Sequence, residues 1–200
     1  MSDAYPGHPA VLRCGRCGRI ASWDDARVQI VCGCRSRLDL PPPLVREAAL
    51  HDRPRALEIF AREFGDRQLV AAGHPVSVEE GELLVGETED GIAGALAWRP
   101  LEQGLHIIAL ATDPIWQRSG VGGYLLAEAE LIAKRHSHAR VLVTITNDNI
   151  PALYFYQRRG YRVTAVLADV VAAAQPQRRI RVGFAGIPIR DEIQLTKEIV

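Results

Sequence analysis

The 200-residue sequence predicts an α/β fold, a sheet flanked by helices, preceded by a small separate module. Three observations carry this. From residue 44 onward, apolar strand-like runs are interspersed with helix-like runs closed by caps and glycines, as in a sheet covered by helices. All four cysteines fall within the first 40 residues, setting that stretch apart. Pro41-Pro42-Pro43, held extended by its rings, makes a stiff hinge between the two. The predicted organisation is therefore a module over 1–40, a hinge over 41–43 and a domain over 44–200.

The module comes first. Its cysteines, Cys14, Cys17, Cys32 and Cys34, follow the pattern Cys-x2-Cys-x14-Cys-x-Cys, with Gly15, Gly18 and Gly33 at the turns. Paired cysteines on two knuckles supply four thiolates, which satisfy tetrahedral zinc. The spacing predicts a zinc-ribbon-like module with structural Zn2+. Iron and disulfides are the alternatives, and the single residue between Cys32 and Cys34 departs from the usual two. The first residues are polar and carry no apolar leader-like run, which predicts a cytoplasmic chain with reduced thiols. Val11, Leu12, Ile20, Trp23, Val28, Ile30 and Val31 are expected to form a small strand pair over the metal, which staples a core too small to stand alone. Residues 1–40 hold six arginines against four aspartates, and a zinc tetrathiolate adds a net −2. The module is near neutral, so a nucleic-acid footprint is disfavoured and a protein-docking or stabilising role is preferred.

In the second domain, Asp52 is read as the N-cap of a helix through Phe64, with Leu57, Phe60, Ala61 and Phe64 on one face and Gly65 as the stop. Glu82 to Glu89 and Ile92 to Arg99 read as strands joined at Asp90-Gly91. Leu105 to Thr112 is an apolar strand closed by Asp113-Pro114. A helix follows from Val121 to Arg135, with Val121, Tyr124, Leu125, Leu131 and Ile132 as its apolar positions. Then come a strand over 141–146, a helix capped by Asn149 with Pro151 just inside it and Gly160 beyond it, and strands over 161–167 and 189–199.

The chemistry-bearing stretch is Gln117-Arg118-Ser119-Gly120-Val121-Gly122, lying between a strand and a helix start. First-turn N–H groups have no partner within their helix, and the helix dipole favours negative charge there. Gly120 and Gly122 allow close backbone approach, which predicts a phosphate-bearing ligand. A tight turn needing positive φ is the simpler alternative. The third glycine of a dinucleotide fingerprint is missing, and so is the Gly-Lys-Ser/Thr of a Walker loop.

Gln117, Gly120 and Gly122 match Gln/Arg-x-x-Gly-x-Gly/Ala. Asn149, Ala152, Phe155, Tyr156, Gly160 and Tyr161 match a following Asn-x-x-Ala-x-x-apolar-Tyr-x-x-x-Gly-aromatic motif. In these two motifs, about one strand apart, the chain resembles the GNAT superfamily of acyl-CoA-dependent N-acetyltransferases over roughly residues 44 to 200. The resemblance implies a mixed sheet, split where the acyl-CoA inserts, with acetyl-CoA as cosubstrate and an amine acceptor. It implies that backbone groups of Leu110 and Thr112 pair with the pantetheine arm. Gln117 belongs to the loop motif, and the N–H groups of Arg118, Ser119, Gly120, Val121, Gly122 and Gly123 cradle the pyrophosphate. Asn149 faces the pantetheine, and Tyr156 gives a proton to the departing CoA thiolate. A tyrosine, with a pKa of about 10 in model peptides, is protonated at neutral pH and suits that task. A core tyrosine is the bland alternative, and the motif spacing selects Tyr156 over Tyr154. For the general base the strand offers His106 and, at its end, Asp113, although a lone histidine on an apolar strand is more often structural; Asp191 and Glu192 either face the acceptor or are solvated or paired with Arg190, and the role stays unassigned.

Composition bounds the rest. Lys+Arg and Asp+Glu balance at 24 each, and 48% of residues are hydrophobic. No global attraction to nucleic acid or to an anionic membrane follows, and no apolar run is long enough to span a bilayer. Arg178, Arg179 and Arg181 lie in an irregular stretch that is either solvated or turned toward an acidic acceptor. The leading expectation is an enzyme moving acetyl from acetyl-CoA to a primary amine by direct attack, as a monomer or homodimer. With no cysteine beyond residue 34, a cysteine-linked acyl enzyme is not expected in that domain. The alternative is a CoA-sensing adaptor whose zinc ribbon recruits a protein or RNA. The acceptor and the acyl chain length are not written in the sequence.

Overall fold

The computed structural model describes residues 22–24, 29–31, 43–65, 68–71, 74–102, 104–117, 119–174 and 181–199. Cys14, Cys17, Cys32 and Cys34, the expected zinc ligands, lie outside the described residues, as do Arg118, Arg178 and Arg179. In chain order the strands are β1 (Ser22–Asp24), β2 (Gln29–Val31), β3 (Leu44–Glu47), β4 (Gln68–Ala71), β5 (His74–Ser77) and β6 (Glu82–Thr88). They continue with β7 (Gly91–Leu101), β8 (Gly104–Thr112), β9 (Arg140–Thr146), β10 (Arg162–Leu167) and β11 (Glu192–Glu198). The helices are α1 (Arg53–Phe64), α2 (Val121–Arg135), α3 (Ile150–Gln157) and the short α4 (Val170–Ala173). No helix among the described residues is long and apolar enough to cross a membrane.

Between the two cysteine pairs, β1 and β2 form an antiparallel pair with Trp23 opposite Ile30. The main sheet has seven strands in the order β10-β11-β9-β8-β7-β6-β3. It is mixed, because β8 runs parallel to β9 while β11 is antiparallel to both β9 and β10. Parallel neighbours need a crossover, which α2 supplies between β8 and β9. The chain divides into two compact units: residues up to Glu63 with Leu83–Leu96 and Leu110–Glu128, and Phe64–Glu82 with Ala97–Ala109 and Ala129–Val200.

In the first unit, β3 pairs antiparallel with β6, from Leu44↔Glu87 to Glu47↔Leu84. The Asp52 carbonyl accepts the Ala56 N–H, as at a helix start, while its carboxylate accepts the Ala49 N–H at 2.8 Å, upstream of α1 rather than in its first turn as a side-chain cap would. Arg46 of β3 donates to the same carboxylate and holds its pKa down at about 2. The buried stripe of α1 is Ala56, Ile59 and Phe60. Of the expected face only Phe60 is fully buried; Leu57, Ala61 and Phe64 flank it, half-buried, because the stripe is rotated by about one position.

In the second unit, β4 and β5 form a hairpin from Gln68↔Ser77 to Ala71↔His74, in a stretch the sequence pattern left unread. The parallel ladder of β8 and β9 runs from Gly104↔Arg140 to Ile107↔Val143. Both strands continue beyond it, β8 to Thr112 and β9 to Thr146. On β9 the alternate residues Val141, Val143 and Ile145 are buried, while Leu142, Thr144 and Thr146 are half-buried. The last strand is shorter than expected, starting at Glu192 because Ile189 bonds back to Arg181 in an irregular strap.

Candidate functional site

The predicted site residues fall into two groups, one in each unit. In the first unit, β8 runs through half-buried Leu110 and Thr112 to Asp113, where the chain turns. The Asp113 carboxylate accepts the Ile115 N–H at 3.2 Å and caps a 3-10 turn, Pro114–Trp116, with proline in its first position. Trp116 is buried, and its carbonyl accepts both the N–H (3.2 Å) and the hydroxyl (2.5 Å) of Ser119. The Gln117 N–H bonds to the Pro114 carbonyl at 3.3 Å. These bonds tie Ile115, Gln117 and Ser119 to the turn that follows β8.

Gly120 has φ +105°, a region closed to side chains, while its missing Cβ would meet nothing closer than the Tyr124 ring at 3.7 Å. Glycine is needed there for conformation rather than for space. The Gly120 carbonyl accepts the N–H groups of Gly123 (2.8 Å) and Tyr124 (3.1 Å). The N–H groups of Gly120, Val121 and Gly122 find no acceptor among the described residues, and no acidic side chain stands in the first turn of α2. The helix start is therefore a cluster of free donors at the positive end of a fifteen-residue dipole, with Lys134 and Arg135 at the opposite end. Arg118 lies outside the described residues.

Two residues that the sequence reading missed seat this helix start. A Cβ on Gly94 of β7 would stand 2.8 Å from Val121 Cγ1 and 3.1 Å from the Ala111 carbonyl oxygen. One on Gly86 of β6 would stand 3.0 Å from Val121 Cγ1. The two glycines let buried Val121 and Leu125 press onto the strands. Isolated glycines in a strand pattern signal close approach, and that was the available clue. Tyr124 and Leu131, expected among the apolar positions of α2, are 49% and 50% exposed; the seat is filled by Val121, Leu125, Leu126 and Ala129.

In the second unit, α3 carries Asn149 and Tyr156. Asn149 is the N-cap, its side-chain oxygen accepting the Ala152 N–H at 3.1 Å, with proline in the first turn. That commits the oxygen to the helix and leaves the amide nitrogen as the group able to face a ligand. Tyr156 is buried and packs edge-on against Phe155 at 5.1 Å and Tyr161 at 5.4 Å. Burial pushes its phenol above the ordinary tyrosine range, against a smaller opposite pull from Arg159, so it holds its proton at neutral pH. Tyr154, the competing tyrosine, is 54% exposed and bonds to Arg158.

The candidate bases sort out by their partners. Asp113 is engaged within the chain: Arg55 donates to it at 2.6 Å, and Arg62 lies at 3.5 Å. His106 is buried on β8 with its Nε2 3.1 Å from the Thr144 hydroxyl. Burial, with Arg99 adding to it, lowers its pKa to about 4, which makes it a weak base. Asp191 accepts the Asp169 N–H, and Arg190 pairs with Asp169 rather than with its neighbours. Glu192 is buried, opposite Thr146 across the ladder, and accepts from the Gln194 amide at 2.9 Å. No cluster of three potential metal ligands occurs among the described residues.

Residues 45–161 match the model of the acetyltransferase (GNAT) family. The uncharacterized protein YdhI of Bacillus subtilis (strain 168) is 33% identical over 149 residues, covering 71% of this chain and 89% of that protein. Among solved structures, a GNAT family acetyltransferase from Elizabethkingia anophelis with acetyl-CoA bound superposes with a TM-score of 0.64 at 22% identity, covering 80% of this chain and 99% of that one. A Bacillus subtilis acetyltransferase in complex with CoA gives 0.61 at 19% identity, covering 79% and 99%. At these identities the two structures establish the shared fold.

Proposed function

The chain belongs to the acetyltransferase (GNAT) family, and from that premise we propose that it transfers an acetyl group from acetyl-CoA to a primary amine by direct attack. The observation that carries the reading is the start of α2, where the N–H groups of Gly120, Val121 and Gly122 find no acceptor among the described residues and the first turn of the helix holds no acidic side chain. Such a cluster fits a pyrophosphate, and Arg118 adds a cation next to it in sequence. The pantetheine arm pairs with backbone groups of Leu110 and Thr112, on the part of β8 beyond its last rung with β9 at Ile107. The Asn149 amide nitrogen serves the same arm.

In the reaction the acceptor nitrogen attacks the thioester carbonyl, the C–N bond forms, and the C–S bond breaks with its electron pair on sulfur. Tyr156 donates its proton to that thiolate. Burial keeps the phenol protonated at neutral pH, as a proton donor must be. The acceptor nitrogen loses one proton to water and the Tyr156 phenolate regains one from water, so the sum is an acetylated amine and free CoA. For the first 40 residues we keep the reading of a structural zinc site on Cys14, Cys17, Cys32 and Cys34, whose four sulfurs leave no open position for catalysis.

Calorimetric titration with acetyl-CoA tests the cofactor, beside Gly120→Glu, which places a carboxylate among the donors. Micromolar binding by the wild type and its loss in the folded variant are expected; a folded wild type that does not bind overturns the reading. Tyr156→Phe should retain binding and lose about 100-fold in CoA release during an amine screen. An unchanged rate removes Tyr156 from the mechanism.

A further inference from the structure

Asp113 stands four residues before Gln117, with 5% of its side chain exposed. Its backbone N–H is pinned to the Ala93 carbonyl at 2.8 Å, and one carboxylate oxygen caps the 3-10 turn. The other oxygen faces α1, where Arg55 donates at 2.6 Å and Arg62 lies at 3.5 Å. Arg55 and Arg62 are seven positions apart, two turns along one face of the helix. Glu58 sits between them and bonds to both, at 2.8 Å and 2.6 Å. The result is a ladder of alternating charge that ends on a buried carboxylate. It couples residues 58 positions apart and so has no local sequence signature.

Surface pairs contribute little, but this one is anchored at a buried partner and leads into a loop read as an anion site. Two consequences follow from removing the arginine. The Asp113-capped turn that leads to Gln117 loses its brace. The carboxylate is also left under-compensated in a poorly solvated position, where its field opposes an incoming pyrophosphate. We propose that Arg55, backed by Arg62, is a positioning residue for the cofactor loop, holding Asp113 and cancelling its charge so that the loop accepts an anion. The inference rests on the cofactor reading given above, and acts through Asp113 rather than by touching the ligand.

The test is acetyl-CoA titration of the wild type, Arg55→Gln, Arg55→Lys and Arg55→Gln/Asp113→Asn, each with its thermal midpoint. Arg55→Gln should raise Kd by about tenfold, a shift in the usual range for coupling between sites. Arg55→Lys should recover part of it, since it restores the charge without the fork. Adding Asp113→Asn should bring Kd back to within about threefold of wild type, because the uncompensated charge is then gone. A merely structural arginine would lower the midpoint without moving Kd, and the second substitution would not rescue it. If Arg55→Gln does not fold, Arg62→Gln carries the same comparison at the more exposed end of the ladder. Wild-type binding with an unchanged Kd in the variant overturns the inference alone, whereas no binding by the folded wild type overturns the cofactor reading beneath it.

Discussion

His106 shows how one polar side chain survives on an apolar strand. Its neighbours Leu105 and Ile107 are fully buried, and it is 3% exposed. As a neutral ring it meets the Thr144 hydroxyl, and burial with the nearby Arg99 charge holds its pKa down at about 4 against an ordinary 6.5. The unfolded chain therefore binds this proton below about pH 6.5 and the folded chain does not, so stability is present above that pH and is lost as pH falls toward 4. Denaturant melts at pH 7 and pH 4 should show the wild type losing up to about 3 kcal/mol more than His106→Asn, which keeps a polar group but does not titrate. Equal losses would remove His106 from the acid response. The sequence marked this histidine as a candidate base and favoured a structural role for it, but its partner Thr144 and the depth of its burial are not local properties. Motif spacing singled out Tyr156, while its burial and its ring contacts with Phe155 and Tyr161 came only from the structure.

Among the elements, α2 was the most legible, its bounds of Val121 and Arg135 matching the expectation because a glycine turn and a basic last turn mark both ends. Its seat was not legible. Gly94 and Gly86 are ordinary strand glycines in sequence, and only the packing shows that a Cβ at Gly94 would reach Val121 Cγ1 at 2.8 Å. Gly94→Ala should destabilise the chain by about 1–3 kcal/mol, as overpacking does, and weaken acetyl-CoA binding by displacing the helix start. Val121→Ala, which removes the clashing methyls, should restore part of both in the double variant. Additive losses in a titration and melt of the pair would mean that the two residues do not share the seat. The turn after β9 is the opposite case, where three successive polar residues each close a different element. Asn147 accepts the N–H groups of Arg190 and Asp191, Asp148 accepts the Phe184 N–H, and Asn149 caps α3. Only the last of these was readable, because capping is a contact over three residues.

For the molecule as a whole, the hidden information was the pairing of segments remote in sequence. β11 lies between β9 and β10, and β3 pairs with β6 across α1 and the β4–β5 hairpin. The cysteine module can be tested on the full chain. Metal analysis should find about one zinc per chain, with Cys14→Ser reducing it and acetyl-CoA binding retained, since a four-thiolate site supplies stability rather than chemistry. A metal-free, folded wild type would overturn the zinc assignment. Caps, glycine turns, apolar periodicity and the two spaced motifs are short-range signals, so the α/β class, the glycine turn before α2, α2, α3 and the family were readable from the residues in order. The burial of Glu192 and His106, the grip of Arg55 on Asp113 and the glycine seat under α2 depend on which distant segments meet. Those meetings follow from the free energy of the folded chain as a whole, and no local window of sequence carries them.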